Sequence, residues 1–355
     1  MARIEILDFT IRMKPIVAFC KGLIPESEEE AQKCLFVVEL DEIGESQAVN
    51  DFLRDEMRRL NQSDICFFTG KQLGLIIKSH GENYTKSFAK KFIFLCNVMG
   101  AEFIGHPLVE VLEGYQNFKT WQKALDMPLE RICFEQIEQL VKRLYQYGPL
   151  GRETMQVLVL HAGYKEISNT LMLWEQIETK LLAHNSRCGG KRLCIDTLHV
   201  EEGKISDCYG CSFETCMYYA REKSCFYGGF VVEDLYPKLE KADIVVWICP
   251  NYNDAISAKL MAVINRLTAL YRQMGFRDKY LYSVVVSGNS GSDSVARQLI
   301  GALNINKGFR LPPRFAIMAL ANEPGEIKEA FDIDSKISTY VNDMCSLIEE
   351  NIKKY

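Results

Sequence analysis

The second half of the chain alternates apolar runs with amphipathic helical patterns, and this alternation constrains the fold more than any other feature. Five runs have the length and composition of fully buried strands. They are residues 156–161, 191–200, 243–250, 280–288 and 313–321. A helical pattern follows each run, and Pro237 is expected to bend or split the second helix. We therefore predict an α/β fold with a five-stranded parallel sheet in the order 2-1-3-4-5, covered on both faces.

The first half carries a weaker version of the same pattern. Residues 34–60 and 157–182 both have the pattern of a strand, a polar loop and a helix, and residues 73–100 form a similar unit. Tandem duplication explains this better than coincidence, because the parts occur in the same order. We predict two domains, 1–150 and 151–355, with the first a degenerate copy of the second.

Composition narrows the class of protein. The chain has 355 residues and a net charge of −5, without the clustered excess of Lys and Arg that a nucleic-acid surface needs. Its apolar run FIFLCNV is far too short to span a bilayer. Thirteen cysteines without an export-signal pattern favour reduced thiols. We expect a cytoplasmic protein that binds neither nucleic acid nor a membrane.

Three loops follow the first, third and fourth strands of the second half, at the sheet edge where α/β proteins bind ligands. The first loop ends in three polar residues at a helix start, where free amides and the helix dipole favour a phosphate. Simple N-capping would need only one of them. A tyrosine in the second loop suits contact with a flat ring, and the glycines of the third let a ligand approach the backbone. The candidate binding residues are Gly163, Lys165, Ser168, Asn169 and Thr170 in the first loop, Pro250, Asn251, Tyr252, Asn253 and Asp254 in the second, and Ser287, Gly288, Asn289 and Gly291 in the third.

These loops resemble those of one branch of the flavodoxin-like superfamily, the NAD(P)H-dependent FMN reductases and iron–sulfur flavoproteins. In that branch the first loop ends in Ser-Asn-Thr, matched by Ser168-Asn169-Thr170. The third strand ends in Pro-x-Tyr, matched by Pro250-Asn251-Tyr252, and Ser257-Ala258 and Asn265-Arg266 follow in the corresponding places. The resemblance runs from about Met155 to the carboxyl end. It implies a flavodoxin-like fold there, and we expect a degenerate flavodoxin-like domain before it.

The resemblance also implies FMN as cofactor and NAD(P)H as co-substrate. The FMN phosphate is expected on the first loop, and the ring between the second and third loops. A flavin accepts a hydride and passes electrons on while the protein orients the ring, so no side chain need act as acid or base. This agrees with the lack of an evident catalytic dyad in the sequence, and no catalytic residue is assigned.

The chain departs from the pattern of this branch at several positions. Ala162–Lys165 replaces the usual Gly-Ser-Pro-Arg, and Glu166 adds a negative charge near the expected phosphate. Asp254 replaces a glycine, and Ser292-Asp293 replaces further glycines. The counterpart loop of the first half, residues 40–49, is acidic, so we expect no flavin there.

Four cysteines in the loop after the second strand are candidate metal ligands. They are Cys208, Cys211, Cys216 and Cys225. Four thiolates within 18 residues suffice for a [4Fe–4S] cluster or for zinc. The spacing is wider than that of cluster-binding relatives, so a metal-free thiol loop is favoured over a cluster, with zinc third.

Three functions therefore stay open. The first is an FMN-dependent NAD(P)H oxidoreductase that reduces a quinone, free flavin or another small acceptor. The second is an iron–sulfur flavoprotein that transfers electrons to a protein partner, and the third is a cofactor-free binding module. Because simple members of this branch pair as dimers, the first domain is expected to take the place of the dimer partner within one chain.

Overall fold

The computed structural model describes residues 3–25, 31–164, 166–187, 189, 192–200 and 205–353. The chain divides into two compact units, Met1–Gly148 and Pro149–Tyr355. Among the helices in these ranges, none combines the length and the apolar character that crossing a membrane requires.

The second unit is built on a five-stranded, all-parallel sheet. Its strands are β5 (Met155–His161), β6 (Leu193–His199), β7 (Ile244–Pro250), β8 (Tyr280–Ser287) and β9 (Ala316–Leu320). They pair in the order β6-β5-β7-β8-β9, which confirms the predicted 2-1-3-4-5 order and the flavodoxin-like fold of this half. The chain reverses its direction across the sheet between β5 and β7, so this sheet has the switch point where such folds bind ligands.

Helices cover both faces of this sheet. They are α6 (Asn169–Arg187), α7 (Phe213–Ala220), α8 (Tyr236–Lys241), α9 (Ala258–Met274), α10 (Ser292–Leu299) and α11 (Ile333–Asn351). Helices α6 and α11 pack together on one face, where alternate strand residues such as Val157, Val246 and Val284 form the core. Trp247, which points to the other face by the period of the strand, is fully buried, as expected for a core residue.

Several helix boundaries differ from the sequence pattern for identifiable reasons. Pro237 lies in the first turn of α8, directly after a π-helical turn at Val231–Leu235, so the predicted helix is split before the proline. Helix α9 begins at Ala258, because the preceding residues form a tight turn. Helix α10 continues into a second π-helical turn at Ile300–Ile305.

The first unit is a four-stranded parallel α/β unit. Its strands are β1 (Ile4–Phe9), β2 (Lys33–Glu39), β3 (Gln72–Ser79) and β4 (Glu102–Leu112), paired in sequential order. Its helices are α1 (Lys14–Leu23), α2 (Gln47–Ser63), α3 (Thr85–Val98), α4 (Lys119–Leu125) and α5 (Leu129–Gln146). Helix α5 packs with α1 in the core of this unit. The order contains no reversal, so the described strands of this unit have no switch point.

Candidate functional site

The three predicted loops leave the carboxyl ends of β5, β7 and β8, which are neighbours in the sheet. They therefore meet at one edge of the second unit. A fourth loop, residues 321–327 after β9, joins them through contacts described below. Sequence reasoning did not assign this loop to the site.

The first loop is a tight turn closed by Ser168. The Ser168 hydroxyl oxygen accepts a hydrogen bond from the amide of Leu171 at 3.2 Å, the arrangement of an N-cap. A Cβ on Gly163 would lie 2.8 Å from that oxygen, so glycine is required for the close approach. Lys165, a predicted binding residue of this loop, lies outside the described residues.

Asn169 is buried and its side chain is engaged within the protein. Its Nδ2 donates to the Glu323 carbonyl oxygen at 2.8 Å, and its Oδ1 accepts from the amides of Gly325 at 2.9 Å and Ile327 at 3.4 Å. Thr170 is 2% exposed. The Asn169 amide therefore ties the first loop to the fourth, and the predicted role of its side chain on a phosphate is less favoured. The amides of the first turn of α6 and the Ser168 O–H remain suited to an anion.

Two stacked histidines stand beside the first loop. The rings of His161 and His199 lie 4.5 Å apart and 5° from parallel, and Nδ1 of His161 lies 3.2 Å from the Gly163 carbonyl oxygen. The Nε2 atom of His199 is buried without a partner among the described residues. These histidines end two paired strands in register. The sequence contained a signal for this pair, because each histidine lies at the end of one of two predicted neighbouring strands. The sequence analysis did not use it.

The second loop is a two-residue turn between Tyr252 and Ala255. The backbones of these two residues bond to each other, with Ala255 N donating to Tyr252 O at 3.1 Å. Asn253 and Asp254 have φ of +53° and +56°, so both central residues are left-handed, as in a type I′ turn. The Tyr252 side chain is 60% exposed, and a ring that binds at this edge can contact it.

Asn251 connects the second loop to the third. Its Nδ2 donates to the Ser287 hydroxyl and to the Ser290 carbonyl oxygen, both at 2.9 Å, and to Asp254 Oδ1 at 3.2 Å. Its Oδ1 is buried and has no partner in the described part of the chain. Ser287 in turn bonds Ser292 at 2.6 Å. The two loops therefore form one connected wall that presents a free acceptor.

The remaining predicted residues lie along this wall. A Cβ on Gly288 would lie 2.8 Å from Asn322 Oδ1, so the third loop also touches the fourth. Glu326 accepts hydrogen bonds from the amides of Asn322 and Glu323 at 2.6 and 2.9 Å, and these bonds hold the pKa of its carboxyl below the usual value. Asn289 is exposed at the tip of the third loop, and Pro250 ends β7 partly buried.

The thiol of Cys249, which lies beside this edge, is not activated. Cys249 precedes Pro250 at the end of β7, and burial raises the pKa of its thiol to about 12. The thiol therefore stays protonated at neutral pH, and Cys249 is a core residue rather than a nucleophile.

The four loop cysteines surround one cavity of about 130 Å³ between the cysteine loop and α9. Cys208 is exposed, while Cys211, Cys216 and Cys225 are partly buried, and every cysteine in the described ranges is a free thiol. Within those ranges no three His, Cys, Asp or Glu side chains are grouped as metal ligands. Arg266 and Arg272 also line the cavity, and the Nε atom of each is buried without a hydrogen-bond partner there. The sequence thus identified a real cluster, but the thiols are not arranged around a common centre.

The corresponding loop of the first unit is occupied by its own side chains. Asp41 accepts hydrogen bonds from the amides of Ile43 and Glu45 at 3.0 and 2.8 Å, and Glu45 pairs with Lys91 at 2.7 Å. A Cβ on Gly44 would lie 2.2 Å from the Cβ of Tyr84. The space beside this turn is therefore filled by protein.

The groups at this edge of the second unit suit a flavin mononucleotide. The first loop offers helix-start amides and a hydroxyl donor to a phosphate, and Asn251 offers a buried, unpaired acceptor to a ring that carries an N–H group. Asp254 and Glu166 are unfavourable charges, and both are exposed. The groups present fit FMN, with the phosphate at the first loop and the ring at the wall.

Comparison with known proteins supports the same assignment. Residues 155–323, just under half of the chain, match the model of the family described as NADPH-dependent FMN reductase. This match confirms the resemblance inferred from the loop sequences. No curated protein matches the chain.

The solved structures that the chain is similar to share little sequence with it. RosB with a bound 8-demethyl-8-formylriboflavin-5'-phosphate is 17% identical, with a TM-score of 0.44, over 57% of this chain and 83% of its own. An azoreductase from Bacillus anthracis is 13% identical, with a TM-score of 0.39, over 55% and 99%. An oxidoreductase from Corynebacterium diphtheriae is 15% identical, with a TM-score of 0.36, over 56% and 99%.

Proposed function

We propose that this protein is an FMN-dependent NAD(P)H oxidoreductase that reduces a small acceptor, because residues 155–323 match the model of the family described as NADPH-dependent FMN reductase. A quinone or a free flavin is the acceptor class that such a site suits. One observation carries the proposal: a helix-start turn and an Asn251-linked wall face the same edge of the sheet at its switch point.

The residues that would hold FMN fall into two groups. The Ser168 hydroxyl and the first-turn amides of α6 would bind the phosphate. Tyr252, the turn that follows it and the third loop would bind the ring. When bound, FMN supplies the hydride-accepting and electron-donating chemistry.

The protein contributes orientation rather than proton transfer. Asn251 holds the second and third loops together, so the ring site is formed before a ligand arrives. Asn169 does the same for the first and fourth loops. Preformed loops lower the entropic cost of binding, which favours affinity without a catalytic side chain.

Anaerobic titration tests the proposal. The purified protein should bind FMN more tightly than riboflavin, because only FMN has the phosphate for the first loop. NADH or NADPH should then bleach the flavin absorbance, and a quinone should restore it. Failure to bind FMN at saturating concentration would refute the oxidoreductase assignment and leave a cofactor-free binding module.

An iron–sulfur flavoprotein that serves a protein partner is the second candidate. Four cysteines around one cavity favour it, together with two buried guanidinium N–H donors that lack acceptors among the described residues. The absence of a grouped ligand set in the described residues counts against it. Iron and acid-labile sulfide analysis of anaerobically purified protein decides between the two candidates.

The role of the first unit stays a prediction. If it takes the place of a dimer partner, the full chain should be monomeric while retaining FMN. A dimer of full-length chains, measured by light scattering, would contradict that idea.

A further inference from the structure

Asp254 places a carboxylate in a backbone conformation that favours glycine. Its φ is +56°, in the left-handed region that most side chains avoid and that Asp and Asn tolerate best. A glycine would adopt this conformation without strain. The conformation of the turn therefore does not explain why an acidic side chain occupies this position.

The carboxylate is held between the two loops expected to contact the ring. Its Oδ1 accepts from Asn251 Nδ2 at 3.2 Å and lies 1.8 Å from the place where a Cβ on Gly291 would stand. The Asp254 backbone oxygen accepts from Gln298 Nε2 at 2.7 Å, and Gln298 Oε1 accepts from the Ile256 amide at 3.2 Å. Side chain and backbone are thus fixed on both sides, so the charge has a defined position.

No basic side chain in the described part of the chain is paired with the Asp254 carboxylate. Asp254 forms no ion pair with another described residue, whereas the nearby Arg297 is paired with Asp293. Glu323 and Glu326 in the fourth loop add negative charge at the same edge. A ring bound here would therefore meet a net negative wall.

We propose that the Asp254 carboxylate is a positioning charge that lowers the two-electron reduction potential of bound FMN, compared with a neutral residue at this position. The inference rests on the proposed function. Electron uptake increases the negative charge of the ring, and a fixed carboxylate beside it opposes that change because like charges repel. The bound cofactor would thus be a stronger reductant that gives up its electrons readily to a small acceptor.

The potential of bound FMN, measured with reference dyes in the full-length protein, tests this. Asp254→Asn keeps the size and the tolerance for positive φ but removes the charge. We expect the reduced-to-oxidised ratio at a given potential to rise at least tenfold, which is about 30 mV for a two-electron couple. Asp254→Gly should show the same shift without backbone strain, which keeps the test valid if the asparagine variant folds poorly.

Asp332→Asn is the matched control, since Asp332 is exposed, lies in the same unit and has the same φ of +56°. It should leave the potential within a twofold change in that ratio. Bound FMN with equal potentials in the wild type and both Asp254 variants would overturn the inference and leave the proposed function standing. Wild-type protein that binds no FMN would overturn both.

Discussion

Replacing Asn169 with alanine separates a structural role from a ligand role at the first loop. The side chain makes three hydrogen bonds to residues 323–327, across more than 150 positions of sequence. Alanine leaves the Ile327 amide buried without its acceptor, while Gly325 and Glu323 are more accessible and regain water. One buried unsatisfied group costs about 1–3 kcal/mol, so we expect a loss of about 2 kcal/mol.

For a unit of about 200 residues this corresponds to a fall in Tm of about 4–8 °C. Tryptophan fluorescence reports on the second unit, because Trp174 and Trp247 are buried in its core and the third tryptophan, Trp121, is half exposed in the first. Asn289→Ala is the control, since that side chain is exposed at the tip of the third loop. Its Tm should equal that of the wild type.

The same three hydrogen bonds of Asn169 predict an effect on cofactor binding. Asn169→Ala should weaken FMN and riboflavin to a similar extent, because the loop is loosened rather than a phosphate contact removed. An unchanged Tm together with a selective loss of FMN binding would refute the structural role of Asn169. That result would show that Asn169 binds the phosphate directly, as the sequence resemblance first implied.

Three further predictions concern the same molecule. Ser168→Ala should weaken FMN about tenfold and leave riboflavin unchanged in a fluorescence titration, because it removes one O–H donor to a charged group, a loss of about 1.4 kcal/mol. Arg152→Ala should destabilise the second unit by about 2 kcal/mol in denaturant unfolding, because the buried Asp243 carboxylate loses a charge-assisted hydrogen bond from Arg152 Nε at 2.7 Å. Burial raises the pKa of the Cys34 and Cys133 thiols from 9.0 to about 12, so the folded first unit binds more protons than the unfolded chain between these values. Its free energy of unfolding should therefore fall as pH rises through that window, by about 1.4 kcal/mol per thiol at pH 10, and equal stability at pH 8 and 10 would contradict this.

The layout of the second unit was readable from local patterns. Continuous apolar runs such as residues 244–249 identify strands, because a strand in a parallel sheet is buried on both faces. The strand order followed from the number of alternating units and the rule for doubly wound sheets. The same rule placed the three candidate loops at one edge, and glycine positions such as Gly163 and Gly291 marked where a side chain lies close to the backbone.

Long-range partners were beyond sequence reasoning. The polar residues at 168–170 formed a run typical of phosphate loops, yet the Asn169 side chain is engaged by the fourth loop. The His161–His199 stack depends on strand register, and the cysteine cavity depends on how the loop folds against α9.

The sequence by itself determined the α/β class and the five-strand order, because short periodic patterns encode them, and its loop motifs carried the resemblance to flavin reductases. Only the tertiary structure decided which polar atoms stay free for a ligand. That choice depends on packing between residues far apart in sequence, as between Asn251 and Ser287 or between Asp254 and Gly291. Hydrogen-bond partners at such distances are set by three-dimensional geometry, which no local pattern contains.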